Sequence, residues 1–313
     1  MAIPITLKLQ NRSPNTPIKS LPSSIEITTS TTVEDAKHII AKQIHFTDPN
    51  RIGLFPVDGK PSLKDRKALL TQQTDIMSAD AIAVRDLGPQ ISWRTVFIVE
   101  YAGPLLIHIL ALLVRPYLYP HSSNGSQLSS TQSLAMILVV SHYLKRELEI
   151  AFVHKFSATT MPFFNLFKNS FHYWVIGGLN LAYWIYSPTA TIAHPPSRIG
   201  HLLTYLGVAL YLYGEISNLL VHIKLSKLRS TGGAERGIPL GYGFNWVTCP
   251  NYFFETLAWV GVVLVTKSWA TAIFTLFSFA QMWIWAVSKE KRYRAEFGDE
   301  YKKHRYTIIP GIV

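Results

Sequence analysis

Two patterns of apolar and polar positions divide the chain near Gly88-Pro89. Before that point, apolar residues alternate with polar ones or recur every three to four positions, as in a soluble domain. Residues 91–287 instead hold long apolar runs, of the length that a helix needs to cross the core of a bilayer. The patterns therefore predict a soluble domain over residues 1–88 and a transmembrane domain over residues 89–313.

The first domain has the sequence pattern of a small α+β fold. Residues 3–9, 24–27, 51–55 and 81–85 are predicted strands, because their apolar positions alternate or their composition favours strands. Between the second and third strands, Val33 to Gln43 carries an apolar stripe at helical spacing, with Thr32 as its N-cap. This order resembles a ubiquitin-like β-grasp domain.

The apolar runs predict an α-helical bundle of about six transmembrane helices. These cover residues 91–114, 133–152, 171–192, 201–223, 251–265 and 268–287. Lys and Arg gather in segments 143–168 and 224–236 and after residue 288, whereas the alternate connections carry few. Positive residues favour the cytosolic side of a membrane, so this alternation predicts that both termini are cytosolic.

Composition agrees with a membrane protein. Only 16% of the residues are charged, against about a quarter in soluble domains. The net charge is +11, and because the basic residues lie beside apolar runs, they favour lipid headgroups or a phosphate-bearing ligand over nucleic acid. With one cysteine, Cys249, the chain can form no internal disulfide.

Several polar residues lie inside the predicted spans, where charge is costly and usually functional. Glu100 lies in the first span and is either a catalytic or substrate-orienting carboxylate or half of a packing ion pair. His142 and Arg146 share a helix face at the end of the second span. They form either a headgroup-level charge network or the lining for a polar ligand. A stripe of Asn218, His222 and Arg229 runs down the fourth span and out of it, which suits helix–helix hydrogen bonds or a ligand.

The segment between residues 237 and 255 is the most informative for chemistry. Asn251 and Glu255 lie one helical turn apart, with Tyr252 beside them, and a tyrosine can protonate a developing enolate. Cys249 is expected to be a packed side chain. The basic tail after residue 288 is either a solvated amphipathic helix or an Arg and Tyr cluster for nucleotide phosphates. The histidines show no tight metal-ligand spacing, so no metal site is predicted.

Three blocks carry a family resemblance: residues 251–255, residues 296–301 and the closing Ile309-Pro310. They resemble the C-terminal domain of the steroid 5α-reductase superfamily, over about residues 160–313. Residues 142–149, 152–157 and 160–162, together with the ubiquitin-like start, are similar to the very-long-chain trans-2-enoyl-CoA reductase branch of that superfamily.

The resemblance implies a multi-pass enzyme of the endoplasmic reticulum membrane. It implies NADPH-dependent reduction of the trans-2 double bond of long-chain enoyl-CoA, the last step of microsomal fatty-acid elongation, with other elongation enzymes as possible partners. It implies Tyr252 as the proton donor, with Glu100 and Tyr143 holding the carbonyl. The positions that match NADPH contacts are Asn218, Arg229, Asn251, Glu255, Arg292, Tyr301 and Arg305. His222, at a position that is acidic in the steroid branch, and Arg146 complete the predicted cofactor set.

Three other interpretations fit parts of the sequence. Another reductase of the superfamily would act on a steroid or sterol double bond. Isoprenylcysteine-type membrane methyltransferases, which use S-adenosylmethionine, share a similar C-terminal pattern. A ubiquitin-like domain tethered to a membrane scaffold would have no enzymatic activity at all.

Overall fold

The computed structural model describes residues 4–59, 62–63, 65–120, 127–156, 159–228, 237–301 and 305–312. Contacts between Cα atoms group the chain into two units. The first consists chiefly of Met1–Thr95 and Phe156–Asn165, and the second of Val96–Lys155, Leu166–Thr231 and Glu235–Val313.

The first unit contains a four-stranded sheet. Its strands are β1 (Ile5–Asn11), β2 (Ser24–Ile27), β3 (Ile52–Phe55) and β4 (Ala81–Asp86), in the order β2-β1-β4-β3. Strands β1 and β4 run parallel, and the other two pairings are antiparallel. The predicted strands lie at these positions, although β1 continues to Asn11.

Helix α1 (Val33–Gln43) covers this sheet, with the predicted bounds and the predicted cap. The Thr32 hydroxyl accepts from the Asp35 amide at 3.1 Å, and the Asp35 carboxylate accepts from the Thr32 amide at 2.9 Å. This reciprocal pair satisfies two otherwise unpaired donors at the helix start. Fully buried Val33, Ala36 and Ile40 join Leu7 and other strand residues in one core. A short helix α2 (Thr74–Ala79) precedes β4.

The second unit is mainly helical. Its elements are α3 (Trp93–Leu118), α4 (Ser130–Phe152), α5 (Phe164–Ser170), a π-helical segment (Phe171–Asn180), α6 (Leu181–Ile185), α7 (Arg198–Lys227), α8 (Pro250–Thr266) and α9 (Trp269–Phe297). Within the described residues, three helical stretches are long and apolar enough to cross a membrane: Trp93–Leu118, Arg198–Lys227 and Trp269–Tyr301.

The element ends differ from the predicted spans in three places. Ile91 was placed in the first span, but it belongs to strand β5 (Gln90–Ser92), which pairs with β6 (Thr160–Pro162). The third predicted span ends early, at Ile185, and Pro188 disfavours helical backbone at the residue before it. The sixth predicted span ends at residue 287, but α9 continues without a break to Phe297, so the first part of the basic tail is helical.

Helices α7 and α8 approach each other closely enough for backbone contact. A Cβ atom added at Gly214 would lie 2.6 Å from the Ala258 amide nitrogen, and one added at Gly261 would lie 2.5 Å from the Gly207 carbonyl oxygen. Small residues permit such contact between membrane helices. This packing fixes the distance between the polar residues on α7 and those on α8.

Candidate active site

Glu100 is buried inside the second unit and hydrogen-bonded to an amide. Its side chain is only 1% exposed, and Oε1 accepts from Asn169 Nδ2 at 2.6 Å. Among the described residues, no cation forms a salt bridge with it. The packing ion pair considered from the sequence is therefore absent from the described contacts.

A group of tyrosines lies beside Glu100. The ring of Tyr101 is 6.3 Å from that of Tyr143 and 4.9 Å, edge to face, from that of Tyr173. The Tyr143 hydroxyl is buried and has no hydrogen-bond partner among the described residues. A Cβ atom at Gly177 would lie 2.8 Å from it, so the backbone of the π-helical segment approaches this hydroxyl closely.

Tyr252 lies half-buried near the start of α8. Its ring centroid is 6.4 Å from that of Trp285, and its hydroxyl interacts electrostatically with Tyr101 and Arg146. Tyr101 therefore follows Glu100 in the chain, lies beside Tyr143, and is within electrostatic range of Tyr252. The sequence did not identify Tyr101, because an aromatic residue in an apolar span resembles a packing or lipid-facing residue.

A second polar network joins α4, α7 and α8. His142 Nδ1 donates to Glu215 Oε1 at 2.6 Å, and its Nε2 lies 3.3 Å from Glu255 Oε1. Lys145 donates to Glu215 Oε2 at 2.6 Å and to Asn218 Oδ1 at 2.8 Å. Glu215 was missed in the sequence, although a carboxylate in a span is the signal that identified Glu100.

Three predicted cofactor residues meet at this network. Asn218 Nδ2 donates to Glu255 Oε2 at 3.0 Å and to the Asn251 carbonyl oxygen at 2.9 Å. The Asn251 side-chain oxygen is buried and has no partner among the described residues. Asn218 of the α7 stripe therefore makes helix–helix hydrogen bonds, and the available polar atom lies on α8, at Asn251.

Arg146 connects the tyrosines to a third group. Its guanidinium donates to the Tyr101 hydroxyl at 3.2 Å and forms a salt bridge with Glu149. His222 Nδ1 lies 3.0 Å from Glu149 Oε2. Arg229, the other predicted member of this stripe, lies outside the described residues.

Glu149, His154 and His222 place their potential metal-ligating atoms within 4.8 Å of one another. The sequence predicts no metal site, because the histidines show no tight metal-ligand spacing and His222 is distant in sequence from the other two residues. Arg146 already binds Glu149, and Lys145 lies 3.5 Å from it, so both cations oppose a divalent ion. Burial and the neighbouring Arg146 lower the pKa of His154 to about 3.

A fourth group forms where the tail meets the loop before α8. The Thr248 and Tyr301 hydroxyls both donate to Glu290, and the Arg305 guanidinium lies 4.9 Å from the Tyr301 ring. Arg305 donates to the Pro239 carbonyl oxygen at 3.0 Å, while its Nε is buried without a partner among the described residues. Sequence analysis predicted Tyr301 and Arg305 but missed Glu290.

Two residues of that region stand apart from this group. Arg292, a predicted cofactor residue, is exposed on α9. Cys249 is buried and packs against Met282, Ala286 and Ile308, as predicted for a packed side chain. Burial raises the pKa of its thiol.

Comparison with known proteins identifies the family of this chain. The family model described as 3-oxo-5-alpha-steroid 4-dehydrogenase matches residues 159–313. A very-long-chain enoyl-CoA reductase of Dictyostelium discoideum is 40% identical, over 93% of this chain and 95% of that protein. A putative enoyl reductase of Schizosaccharomyces pombe is 40% identical over 98% of both chains. A probable very-long-chain enoyl-CoA reductase of Caenorhabditis elegans is 37% identical, over 88% of this chain and 89% of that protein. The chain therefore belongs to the very-long-chain enoyl-CoA reductase family, within the steroid 5α-reductase superfamily.

Proposed function

We propose that this chain uses NADPH to reduce the trans-2 double bond of long-chain and very-long-chain enoyl-CoA, as the last step of a fatty-acid elongation cycle. The observation that carries the proposal is 40% identity to an enoyl-CoA reductase over almost the full length of both chains. The buried polar groups on α3, α4, α7 and α8 support it, because charge inside an apolar bundle is usually functional.

The residues around Tyr101 suit the reacting end of the substrate. Glu100 and Tyr143 are assigned to the thioester carbonyl, and Tyr252 is the proton donor that the family resemblance implies. The Tyr143 hydroxyl, which has no hydrogen-bond partner among the described residues, can donate to the carbonyl oxygen as negative charge develops on it. Donors already in place at such an oxygen lower the barrier, because they need no reorganisation during the reaction.

The remaining predicted residues suit a phosphate-bearing dinucleotide. When bound, NADPH supplies the hydride for the reduction. Buried Asn251 Oδ1 and Arg305 Nε lack partners among the described residues, so one acceptor and one charged donor remain for the cofactor. Arg pairs well with phosphate, and exposed Arg292 adds a second cation. Asn218, His222, Glu255, Arg146 and Tyr301 complete the proposed set, together with Arg229.

The membrane arrangement is part of the proposal. We propose six spans: the three long apolar helices, α4, the segment from α5 to α6, and α8. An even number of spans puts both termini on one side of the membrane, which we take to be the cytosol. Exposed Trp246, Trp269 and Trp285 suit the interfacial zones where tryptophan is enriched. We assign the chain to the endoplasmic reticulum membrane, with a ubiquitin-like N-terminal domain and other elongation enzymes as possible partners.

The test is NADPH oxidation by the purified protein with a long-chain trans-2-enoyl-CoA. We expect consumption of NADPH and formation of the saturated acyl-CoA in equal amounts, and no reaction with the saturated thioester. Absence of turnover by well-folded protein contradicts the proposal.

Two variants test the assigned residues. Tyr252→Phe and Glu100→Gln should each lower turnover, whereas Tyr205→Phe is the matched control, because Tyr205 is 71% exposed on α7. Full turnover by both site variants would remove the catalytic assignment while leaving the reaction itself in place.

A further inference from the structure

The short helix α5 supplies the hydrogen bond that the Glu100 carboxyl accepts. Asn169 lies in the last turn of α5, and its Nδ2 donates to Glu100 Oε1 at 2.6 Å. No hydrogen bond to the other carboxyl oxygen, Oε2, is present among the described residues. One oxygen is therefore held by an amide, and the other remains for a ligand. The proposed function assigns Asn169 no role.

Contacts on either side hold Asn169 in register with α3. Trp174 Nε1 donates to the Val99 carbonyl oxygen at 2.8 Å, one residue before the carboxyl. The ring of Tyr173, one turn after Asn169, packs edge to face on the ring of Tyr101 and shares a hydrogen bond with it. The π-helical segment and the end of α5 therefore face the same stretch of α3. The Asn169 amide is fixed before any substrate binds, as a group that orients another must be.

The amide determines which carboxyl oxygen carries a proton. A thioester carbonyl oxygen is an acceptor and has no hydrogen to donate, so Glu100 can hydrogen-bond to it only as the neutral acid. In a neutral carboxyl, the oxygen without hydrogen is the stronger acceptor. Because the Asn169 N–H group donates to Oε1, it favours the proton on Oε2. That oxygen is then the donor that faces the substrate.

The surroundings of Glu100 suit a neutral carboxyl. The side chain is buried, and an ionised carboxylate without a paired cation is costly in such a place. Arg146 acts on Glu100 electrostatically, but its guanidinium binds Glu149 and donates to the Tyr101 hydroxyl. Among the described residues, it forms no salt bridge with Glu100. The amide of Asn169 is thus the polar group that the structure places in direct contact with this carboxyl.

We propose that Asn169 is a positioning residue, which holds the Glu100 carboxyl so that Oε2 donates to the thioester carbonyl of the substrate. This rests on the proposed enoyl-CoA reductase function and refines the role that it gives to Glu100. As the β-carbon gains a hydride, negative charge develops on the thioester oxygen, and the oriented O–H group stabilises it. Glu100 keeps its proton throughout, and the α-carbon takes its proton from Tyr252.

Asn169→Asp in the full-length protein tests the direction of the hydrogen bond. Aspartate has almost the same size, but its carboxylate only accepts, so it should turn the Glu100 proton away from the substrate. We expect kcat to fall by about 10- to 100-fold. The KM values for enoyl-CoA and NADPH should change little, because the lost interaction strengthens only in the transition state. Asn165→Asp is the matched control and should retain kcat: Asn165 lies one turn earlier on α5, is equally half-buried, and has no hydrogen bond to Glu100 among the described contacts.

A double-mutant cycle separates positioning from support of the fold. Asn169→Ala should lower kcat in the parent protein but add little to the loss in Glu100→Ala, because no carboxyl is left to orient. A residue that only supports the fold would lower kcat by the same factor in both proteins. Melting temperatures in one detergent show which variants are folded. If Asn169→Ala is not, Asn169→Asp alone decides, because it retains the volume of the side chain.

Three outcomes overturn the assignment. Retained kcat in Asn169→Asp shows that catalysis does not need an N–H donor at this position. Equal losses from Asn169→Ala in the parent and in Glu100→Ala show that Asn169 does not act through the carboxyl. Both results leave the proposed function intact. Failure of the parent protein to reduce any enoyl-CoA overturns the proposed function as well, which distinguishes the two failures.

Discussion

Replacing Gly214 by alanine tests whether the contact between α7 and α8 organises the site. The new Cβ atom would lie 2.6 Å from the Ala258 nitrogen and 2.7 Å from the Phe254 carbonyl oxygen, where ordinary contact begins at 3.4 Å. Both obstructing atoms belong to the backbone, so no side-chain rotation can relieve the clash. The two helices must separate by about 0.8 Å.

Two opposing effects set the size of the change. Overpacking of a tight interface costs about 1–3 kcal/mol, whereas alanine is favoured over glycine within a helix by about 0.5–1 kcal/mol. We therefore expect a net loss of about 1–2 kcal/mol in the free energy of unfolding. Asn218 lies one turn after Gly214, so separation should also stretch the 3.0 Å bond to Glu255 and raise the KM for NADPH.

The assay is thermal unfolding in one detergent, with turnover measured on the same preparations. Gly200→Ala is the matched control on α7, because its Cβ would lie 3.2 Å from a proline side-chain carbon and no closer to any backbone atom. It should be neutral or slightly stabilising. A Gly214→Ala protein that melts at or above the parent temperature, with unchanged KM, refutes the reasoning.

Three further substitutions test other contacts. Burial raises the pKa of the Asp86 carboxyl, but hydrogen bonds from Arg51 outweigh burial and leave that pKa lowered in the folded state. The ionised carboxylate therefore stabilises the fold above its unfolded pKa of about 3.9. This stabilisation is lost as the pH falls through the lower pKa of the folded state. Asp86→Asn should therefore increase hydrogen exchange of the β3 and β4 amides near pH 7, with the difference from the parent vanishing in acid; an equal difference at both pH values would contradict this. Glu290→Gln weakens a buried acceptor of the Tyr301 hydroxyl, at about 1.5–3 kcal/mol per hydrogen bond to a charged group, and should raise the KM for NADPH more than it lowers kcat; an unchanged KM would disprove it. Arg305→Lys keeps the charge but loses the planar fork that matches phosphate, so NADPH affinity measured by cofactor-dependent fluorescence should fall about tenfold, and equal affinity would argue against a phosphate contact.

The regular elements were predictable because their signals are local. Thr32, Asp35 and the apolar stripe of α1 lie within a dozen residues, and the helix has the predicted bounds. The apolar runs likewise located the long helices, because length and hydropathy suffice for that. The ends were less predictable, since Ile91 becomes a strand residue only through its partner Met161, seventy positions later in the chain.

The site residues that sequence analysis missed depend on contacts between distant segments. Tyr101 differs from any aromatic residue in an apolar span only because Arg146 of another helix donates to it. Glu290 lies in a run of charged residues, a pattern typical of a solvent-exposed helix. In the structure it is buried and accepts a hydrogen bond from Thr248 of the loop before α8. Glu215 is the exception, because a carboxylate inside a span is itself a functional signal.

The buried ionic network is better explained by positioning than by stability. Little of the network's charged side chains is exposed to solvent, namely those of His142, Lys145 and Glu215. The free-energy cost of desolvating such groups offsets much of their electrostatic attraction. An apolar replacement of similar volume would often leave a protein as stable or more so. What it would lose here is the chain of contacts that runs from Glu215 through Lys145 to Asn218 and on to Glu255. These hydrogen bonds hold polar groups of three helices at fixed distances within apolar surroundings. Binding and proton transfer require the same geometry in every turnover, so we infer that the network's role is to position these groups.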